Sequence, residues 1–459
     1  MRAGMKNGDH VLAALRQSED AHRRALTRLQ QTELAYRKLI PVGLLELCGG
    51  NDGAPQDILN IRLGDHAEKP MTIMFSDIRN FMSIAEGMTT TQSLRFFNSY
   101  FGQMDAVIAR HSGIVDKFIG DGIMALFPAG SDDALRGSIE MIRRVRHYNE
   151  GRVRAGYPPI NVGIGLNTGI VMVCIVGGEN RINSTVIGDA VNLASRLEAE
   201  TKTYRIPVVI SHSTLRGLSD QNDYSIRFLD RIKVKGRSQP VSIYEVFDCD
   251  GEAMRGAKHQ SRDLFEKAVS FYHMHDIDDA HALFRQCAEI APDDAPTHVY
   301  LRRCEDYKSS GIHYGTSEMT SKLEWSVKHH SGIDDLDVAH HEVVNKINEL
   351  TLSVAHGNRE SMLRILKFLQ WHSEGVFPIE EALMSKHKYP LAESHVHDHR
   401  RFAADLGSLT AQIEEGRAEF RYLAFKGKML MLDWFSSHLS GADHHFIRFL
   451  KEDASGVYL

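Results

Sequence analysis

Residues 10–39 carry Leu12, Leu15, Leu26 and Leu29 at three-residue steps within each pair, with no glycine or proline among them. That spacing predicts a helix. Glu19, His22 and Glu33 interrupt any heptad seam, so a coiled coil built on it would be weak. Pro41 and the run Gly49, Gly50, Gly53 and Pro55 then break the pattern. From Met71 to about Asp250, short β-branched runs alternate with helical stretches. MTIMFS (71–76), IMALF (123–127), INVGIGL (160–166), VVI (208–210) and SIYEVF (242–247) read as strands, and 89–111, 131–149 and 189–201 as helices. The mixture predicts an α/β sandwich of roughly 180 residues. Residues 258–309 return to a helical pattern, with Ala268, Tyr272, Ala280, Leu283, Phe284 and Ala288 at helical intervals. Four long helical patterns follow over 325–459, broken near Gly357, Pro390 and Gly416, which is the signature of an up-down four-helix bundle.

The expected organisation is therefore multidomain: an N-terminal helical segment (1–48), an α/β domain (65–250), a helical connector (258–310) and an all-α bundle (320–459). Within the connector, AVSFYHMHDIDDAHALFRQCAEIAPDD resembles one tetratricopeptide helix pair. A single repeat cannot bury its own face, so a connector or a dimer-contacting arm is expected, not a peptide-binding array. A chain of 459 residues needs more than one core. The net charge of −6 gives no general attraction to nucleic acid or anionic membrane. No apolar run approaches the roughly 20 residues of a membrane span; IVMVCIVGG (170–178) is too short and reads as a buried strand. The N-terminus lacks the apolar core of a signal peptide, and the five scattered cysteines form no CxxC pair. A cytoplasmic protein without disulfides is expected.

Two segments carry candidate chemistry. FSDIRNF (75–81) places Asp77 at the end of an apolar strand, and VDKFIGDGIMALF (115–127) places Asp121 in a glycine-flanked turn. Carboxylates at such positions can meet over a magnesium ion, with backbone free to approach phosphates. Together with TVIGDAVNLASRLE (185–198), these segments resemble the class III nucleotidyl cyclases from about Tyr36 to Asp250. That resemblance implies a ferredoxin-like α/β domain working as a head-to-tail homodimer, with its active sites at the interface. Asp77 and Asp121, with the Ile78 carbonyl, would hold two magnesium or manganese ions per site, and Phe81 would lie in the substrate loop. Asn192 and Arg196, one helical turn apart, would reach in from the partner chain to the ribose and the transition state. Lys235, in VKGR (234–237), would contact phosphate. Lys117 would meet the acceptor nitrogen of adenine and Thr185 would accept from its exocyclic amine, which favours ATP. Threonine at 185 also resembles the subgroup that includes bicarbonate-responsive cyclases. Asn80, Met82 and Cys174 depart from the family, where Gly, Thr and Gly are frequent. Asn tolerates left-handed backbone angles, so the turn at Asn80 is expected to persist.

Of the 25 histidines, 14 lie between His313 and His445, so a metal site is sought there. His395 and His399 share a helix face, His438 precedes Asp443 by five residues, and His340 projects from the first helix of the bundle. Imidazoles and bridging carboxylates inside a four-helix bundle are how non-haem di-iron is held. Residues 325–450 resemble the bacterial hemerythrins, with Trp325, Phe402 and Trp434 matching the apolar surround. By that resemblance His395, His399 and His438 would bind one iron, His340 the other, and Glu380 and Asp443 would bridge them. Val376 stands where the family has a further histidine, so the second iron would be weakened; His372 could replace it only if Gly375 and Pro378 kinked the helix.

The sequence as a whole reads as an adenylate cyclase making cyclic AMP and pyrophosphate from ATP, set by an iron sensor of oxygen, nitric oxide, peroxide or redox state. The alternative is an iron- or oxygen-binding sensor carrying a weakened cyclase. Coupling between the two would run through 258–309.

Overall fold

A computed structural model of the chain describes residues 2–39, 41–48, 61–178, 181–233, 240–314, 323, 325, 330, 333–355, 358–416 and 418–455. The N-terminal pattern forms one helix, α1 (Arg2–Leu39), followed by α2 (Val42–Leu47). From 66 to 246 the order is β1 (His66–Ile78), α3 (Phe81–Ala85), α4 (Thr90–Arg110), β2 (Ile114–Ile119), β3 (Gly122–Phe127), α5 (Ser131–Arg154), β4 (Val162–Gly178), β5 (Arg181–Ile187), α6 (Asp189–Tyr204), β6 (Val208–Ser211), α7 (His212–Arg216), β7 (Ile226–Ile232) and β8 (Val241–Val246). The sheet runs β2-β3-β1-β4-β6-β8-β7, with β5 paired to β4. Its first four strands have the ferredoxin-like order, as expected.

The run 170–178 is not a separate strand. It continues 162–169 as one strand, β4, which pairs with β1 from Val162 to Cys174. One core lies between the sheet and helices α4 and α5, around Met74, Phe96, Tyr100, Ile123 and Ile142. Helix α4 starts at a capping box in which Thr89 and Gln92 satisfy each other's backbone amides. Helix α6 lies so close to β4 that a Cβ on Gly165 would come within 2.1 Å of the Glu198 amide nitrogen. Only glycine permits that approach, and it is this approach that fixes the helix carrying Asn192 and Arg196.

The connector holds three helices, α8 (Glu252–His273), α9 (Ile277–Ile290) and α10 (Ala295–Ser310). They pack on the same chain, with Phe265, Phe284 and Tyr300 set against Leu193, Leu197 and Tyr204 of α6. A buried charge network ties the two layers together. Arg227 of β7 meets Glu245 and Asp294, each at 2.6 Å, and Lys258 meets Glu245 at 2.6 Å.

The C-terminal bundle consists of α11 (Asp334–Ala355), α12 (Arg359–Lys386), α13 (Ala392–Glu415), α14 (Phe420–Trp434), a π-helical turn (Phe435–Ala442) and α15 (Asp443–Ser455). It touches the α/β domain directly as well as through the connector. Arg231 of β7 reaches Asp433 at 3.1 Å, Arg216 of α7 pairs with Asp405, and Glu68 of β1 meets His445 at 2.6 Å.

Lys428 of α14 is 1% exposed near Arg231. Burial, and then Arg231, lowers its pKa to about 8. The fold therefore disfavours its charged form, a penalty of about 3 kcal/mol that is complete below pH 8 and relieved as pH rises toward the unfolded value. Lys428→Met is expected to raise the thermal midpoint at pH 7. The gap to the parent protein should narrow between pH 8 and about pH 10.5 in calorimetry.

Candidate functional site

Strand β1 delivers Asp77 one residue before its end, and the β2–β3 hairpin delivers Asp121 beside it. The turn needs glycine at 120, where φ is +62°, and a Cβ at Gly122 would meet the Ser76 carbonyl at 2.9 Å. The two carboxylates are half-buried. Burial, and then the neighbouring Asp77, raises the pKa of Asp121, while the backbone amides of Asp121 and Ile78 work against the rise. Two neighbouring carboxylates form an oxygen-only set suited to magnesium or manganese. Lys202 of α6 donates to Asp77 Oδ2 at 2.7 Å and supplies positive charge there. Asn80 adopts the left-handed conformation (φ 54°) that the departure from glycine requires, and α3 starts after it at Phe81. Met82 is 75% exposed.

The two residues expected to read the base come together within one chain. Lys117 of β2 donates through Nζ to Thr185 Oγ1 of β5 at 2.9 Å. Cys174 of β4 is the cross-strand partner of Thr185, is buried, and donates weakly to the Thr185 carbonyl. On α6, Asn192 is exposed and Arg196 half-buried. Lys235 lies outside the described residues.

In the bundle, donor atoms of Glu380, His395, His399 and His438 all lie within 4.8 Å of one another, as do those of His340, Glu380 and Asp443. His399 Nε2 is 3.1 Å from Glu380 Oε2, and His340 Nε2 is 2.9 Å from Glu380 Oε1. His395 Nε2 and His438 Nε2 stand 3.0 and 3.2 Å from Asp443 Oδ1. His395 Nε2 and both Asp443 oxygens nevertheless make no well-formed hydrogen bond, although all are buried. Such convergence without hydrogen bonding, in a nitrogen and carboxylate donor set, fits a transition-metal ion.

Local structure explains the aim of these groups. Four-residue spacing on α13 sets His395 above His399. The π-helical turn brings His438 and Asp443, five apart, to one side. Burial alone would raise the Glu380 carboxyl, yet hydrogen bonds from His340 and His399 hold it well below the usual range. Burial, and then His395 and His399, pushes His438 well below its ordinary value, so it is the neutral imidazole a metal needs.

Helix α12 buries His372, Val376 and Glu380 on one face, and Val376 fills the turn before Glu380. His372 is buried against Phe368 and belongs to neither donor group, and its Nε2 has no hydrogen-bond partner.

Sequence reasoning missed three neighbours of these sites. Lys202 lies six residues past Arg196 and has no local signal. Glu381, which meets His399 Nδ1 at 3.0 Å and so turns Nε2 toward Glu380, was visible only as the second acid of EEALM. Asp116, beside Lys117, sits in the motif itself.

Residues 65–247 match the family model of the adenylate and guanylate cyclase catalytic domain, and residues 331–450 that of the hemerythrin HHE cation binding domain. The chain is 37% identical over 287 residues to the terminal-differentiation-specific adenylate cyclase of Dictyostelium discoideum, covering 61% of this chain and 13% of that one. It is 40% identical over 228 residues to an adenylate cyclase of Anabaena cylindrica, covering 48% of this chain and 44% of that one. It thus spans less than half the length of either relative. Among solved structures, a bacterial light-regulated adenylyl cyclase aligns at 27% identity with a TM-score of 0.42, over 49% of this chain and 63% of that one. No helix among the described residues is long and apolar enough to cross a membrane. The chain thus joins an adenylate and guanylate cyclase catalytic domain, over 65–247, to a hemerythrin HHE domain, over 331–450.

Proposed function

We propose that this chain is an adenylate cyclase that closes ATP to cyclic AMP and pyrophosphate as a homodimer, under the control of the iron bound in its C-terminal bundle. The observation that carries the catalytic part is the pairing of two half-sites in one domain, the Asp77–Asp121 carboxylates and the Lys117–Thr185 hydrogen bond. Asp77 and Asp121 hold the metal, and Asn192 and Arg196 of the second copy orient the ribose and meet the charge on the transferring phosphorus. When bound, magnesium or manganese lowers the proton affinity of the ribose 3′-hydroxyl and balances charge on the departing pyrophosphate. Lys202 must release Asp77 as the metal enters.

Support for a second copy comes from exposed apolar side chains on the strands that carry the base-reading pair. Phe118, Ile119, Met172, Val176, Ile182 and Ile187 are each more than a third exposed on β2, β4 and β5.

Base choice follows from hydrogen bonding. A lysine donor suits the acceptor ring nitrogen of adenine and opposes the N–H at that position of guanine. The expected result is a kcat/KM for ATP at least about tenfold above that for GTP, measured with both nucleotides and manganese. A preference for GTP would overturn the assignment of Lys117 and Thr185.

In the bundle, His395, His399 and His438 would hold one iron and His340 the second, with Glu380 and Asp443 available to both, and Val376 would leave the second site short of a ligand. Bound iron supplies reversible binding of a small diatomic ligand or a change of redox state. Regulation is supported by the placement of Asp433. It lies five residues before His438, at the entry to the π-helical turn, and pairs with Arg231 in the cyclase domain. A π-helical turn can be lost or shifted, so it gives the iron site and the cyclase domain one movable element in common.

A further inference from the structure

Strand β2 would ordinarily send Asp116 and Lys117 to opposite faces of the sheet, because side chains alternate along a strand. Its pairing with β3 is irregular at this point. Val115 faces Ala125 and Lys117 faces the very next residue, Met124, which leaves Asp116 as the extra residue of a bulge. Bulges re-aim side chains. Here the result is that Lys117 Nζ lies 3.1 Å from Asp116 Oδ2 while it donates to Thr185 Oγ1 at 2.9 Å. The Asp116 side chain is 1% exposed, against 43% for Lys117, and neither carboxylate oxygen makes a well-formed hydrogen bond, so the ion pair with Lys117 is what compensates its charge. A carboxylate buried beside a half-exposed ammonium is a directional anchor, because its charge has no water to turn to.

We infer that Asp116 is a specificity-determining positioning residue, which holds the Lys117 ammonium in the geometry that reads the purine base. This rests on the adenylate cyclase reading above. An ammonium has three N–H donors. Thr185 takes one of them, the Asp116 carboxylate holds the ammonium beside it as an ion pair, and a donor is left for the acceptor ring nitrogen of adenine. A free lysine would lose rotamer entropy on binding, and the anchor removes that loss in advance. The anchor also works against guanine. With Lys117 pinned, the N–H of guanine meets an ammonium; with Lys117 released, the base edge becomes permissive. Asp116 does not touch the phosphates or the reacting oxygen, so its effect belongs to nucleotide binding and base choice, and the chemical step is left alone.

The test is equilibrium binding of 3′-deoxyATP and 3′-deoxyGTP, which cannot cyclise, to the full chain with manganese, alongside steady-state rates with ATP. Asp116→Asn is expected to weaken 3′-deoxyATP and raise KM for ATP by roughly tenfold, to leave kcat within about twofold, and to shrink the preference for adenine. Asp116→Glu should restore part of the preference. In a Lys117→Ala background, Asp116→Asn should have no further effect on base choice. An unchanged preference in Asp116→Asn, or additive effects with Lys117→Ala, would overturn the assignment. So would a fall in kcat or thermal midpoint with base choice intact, since that is a merely structural role. If the parent protein binds the two analogues equally, it is the adenine reading itself that fails.

Discussion

Asp77→Ala is expected to lower the rate of cyclic AMP formation from ATP by roughly a thousandfold, with the fold intact. The size follows from what the side chain does. Metal charge on the 3′-oxygen and pyrophosphate is worth several kcal/mol in the transition state, and each 1.4 kcal/mol is about tenfold in rate. Asp77 is half-buried and faces Asp121 and Lys202, so removing it relieves repulsion on Asp121 and strands no buried charge. The thermal midpoint should therefore change little. The same variant probes the dimer. Mixed with Asn192→Ala chains, which retain Asp77, it should recover about a quarter of the parent rate. Half of the dimers formed at random are mixed, and each of those has one intact site of two. Absence of any recovery on mixing would place both half-sites in one chain.

Glu380→Ala is expected to reduce iron per chain at least about tenfold. Glu380 is the only residue shared by both donor groups of the bundle among the described residues. It is also the carboxylate on which His340 and His399 converge, so its loss would remove one ligand from each proposed iron site and take a carboxylate from two imidazoles. Metal analysis after anaerobic iron loading checks it, with an absorption spectrum as a second reading. Val376→His should act in the opposite sense, raising iron toward two per chain, because Val376 occupies the turn of α12 before Glu380. His372→Ala should leave iron content unchanged. Iron that survives Glu380→Ala would mean that the donor groups hold metal in some other arrangement.

Much of this was legible in the sequence because the chemistry is local in the chain. Asp77, Asp121, Lys117, Thr185, Asn192 and Arg196 sit in three short segments with strong strand or helix patterns, and the iron-site histidines recur at helical spacing. What was not legible depends on distant parts of the chain. Strand β7 reads poorly because Arg227, Asp230 and Arg231 look like surface residues. All three are buried only because Asp294, His273 and Asp433 arrive from the connector and the bundle. Strand β5 escaped notice because its apolar residues Ile182 and Ile187 are exposed and Val186 alone of its apolar side chains is buried. The direct contact between bundle and cyclase domain was also unforeseen. Charges such as Arg216, Asp405 and Asp433 carry no sequence mark of their partners, and coupling was expected through 258–309 alone. The π-helical turn belongs to the same class, because WFSSHLSGAD gives no periodicity that separates it from an α-helix.

The proposed function is that of a cyclase whose rate is set by its own iron. It is tested most directly by cyclic AMP formation from ATP and manganese by one preparation of the full chain, in the reduced anaerobic, oxygen-exposed and iron-free states. Cyclic AMP is expected in at least one state, with rates that differ severalfold between states, a coupling of about 1 kcal/mol or more. Equal rates in all three, or no cyclic AMP in any, would contradict it.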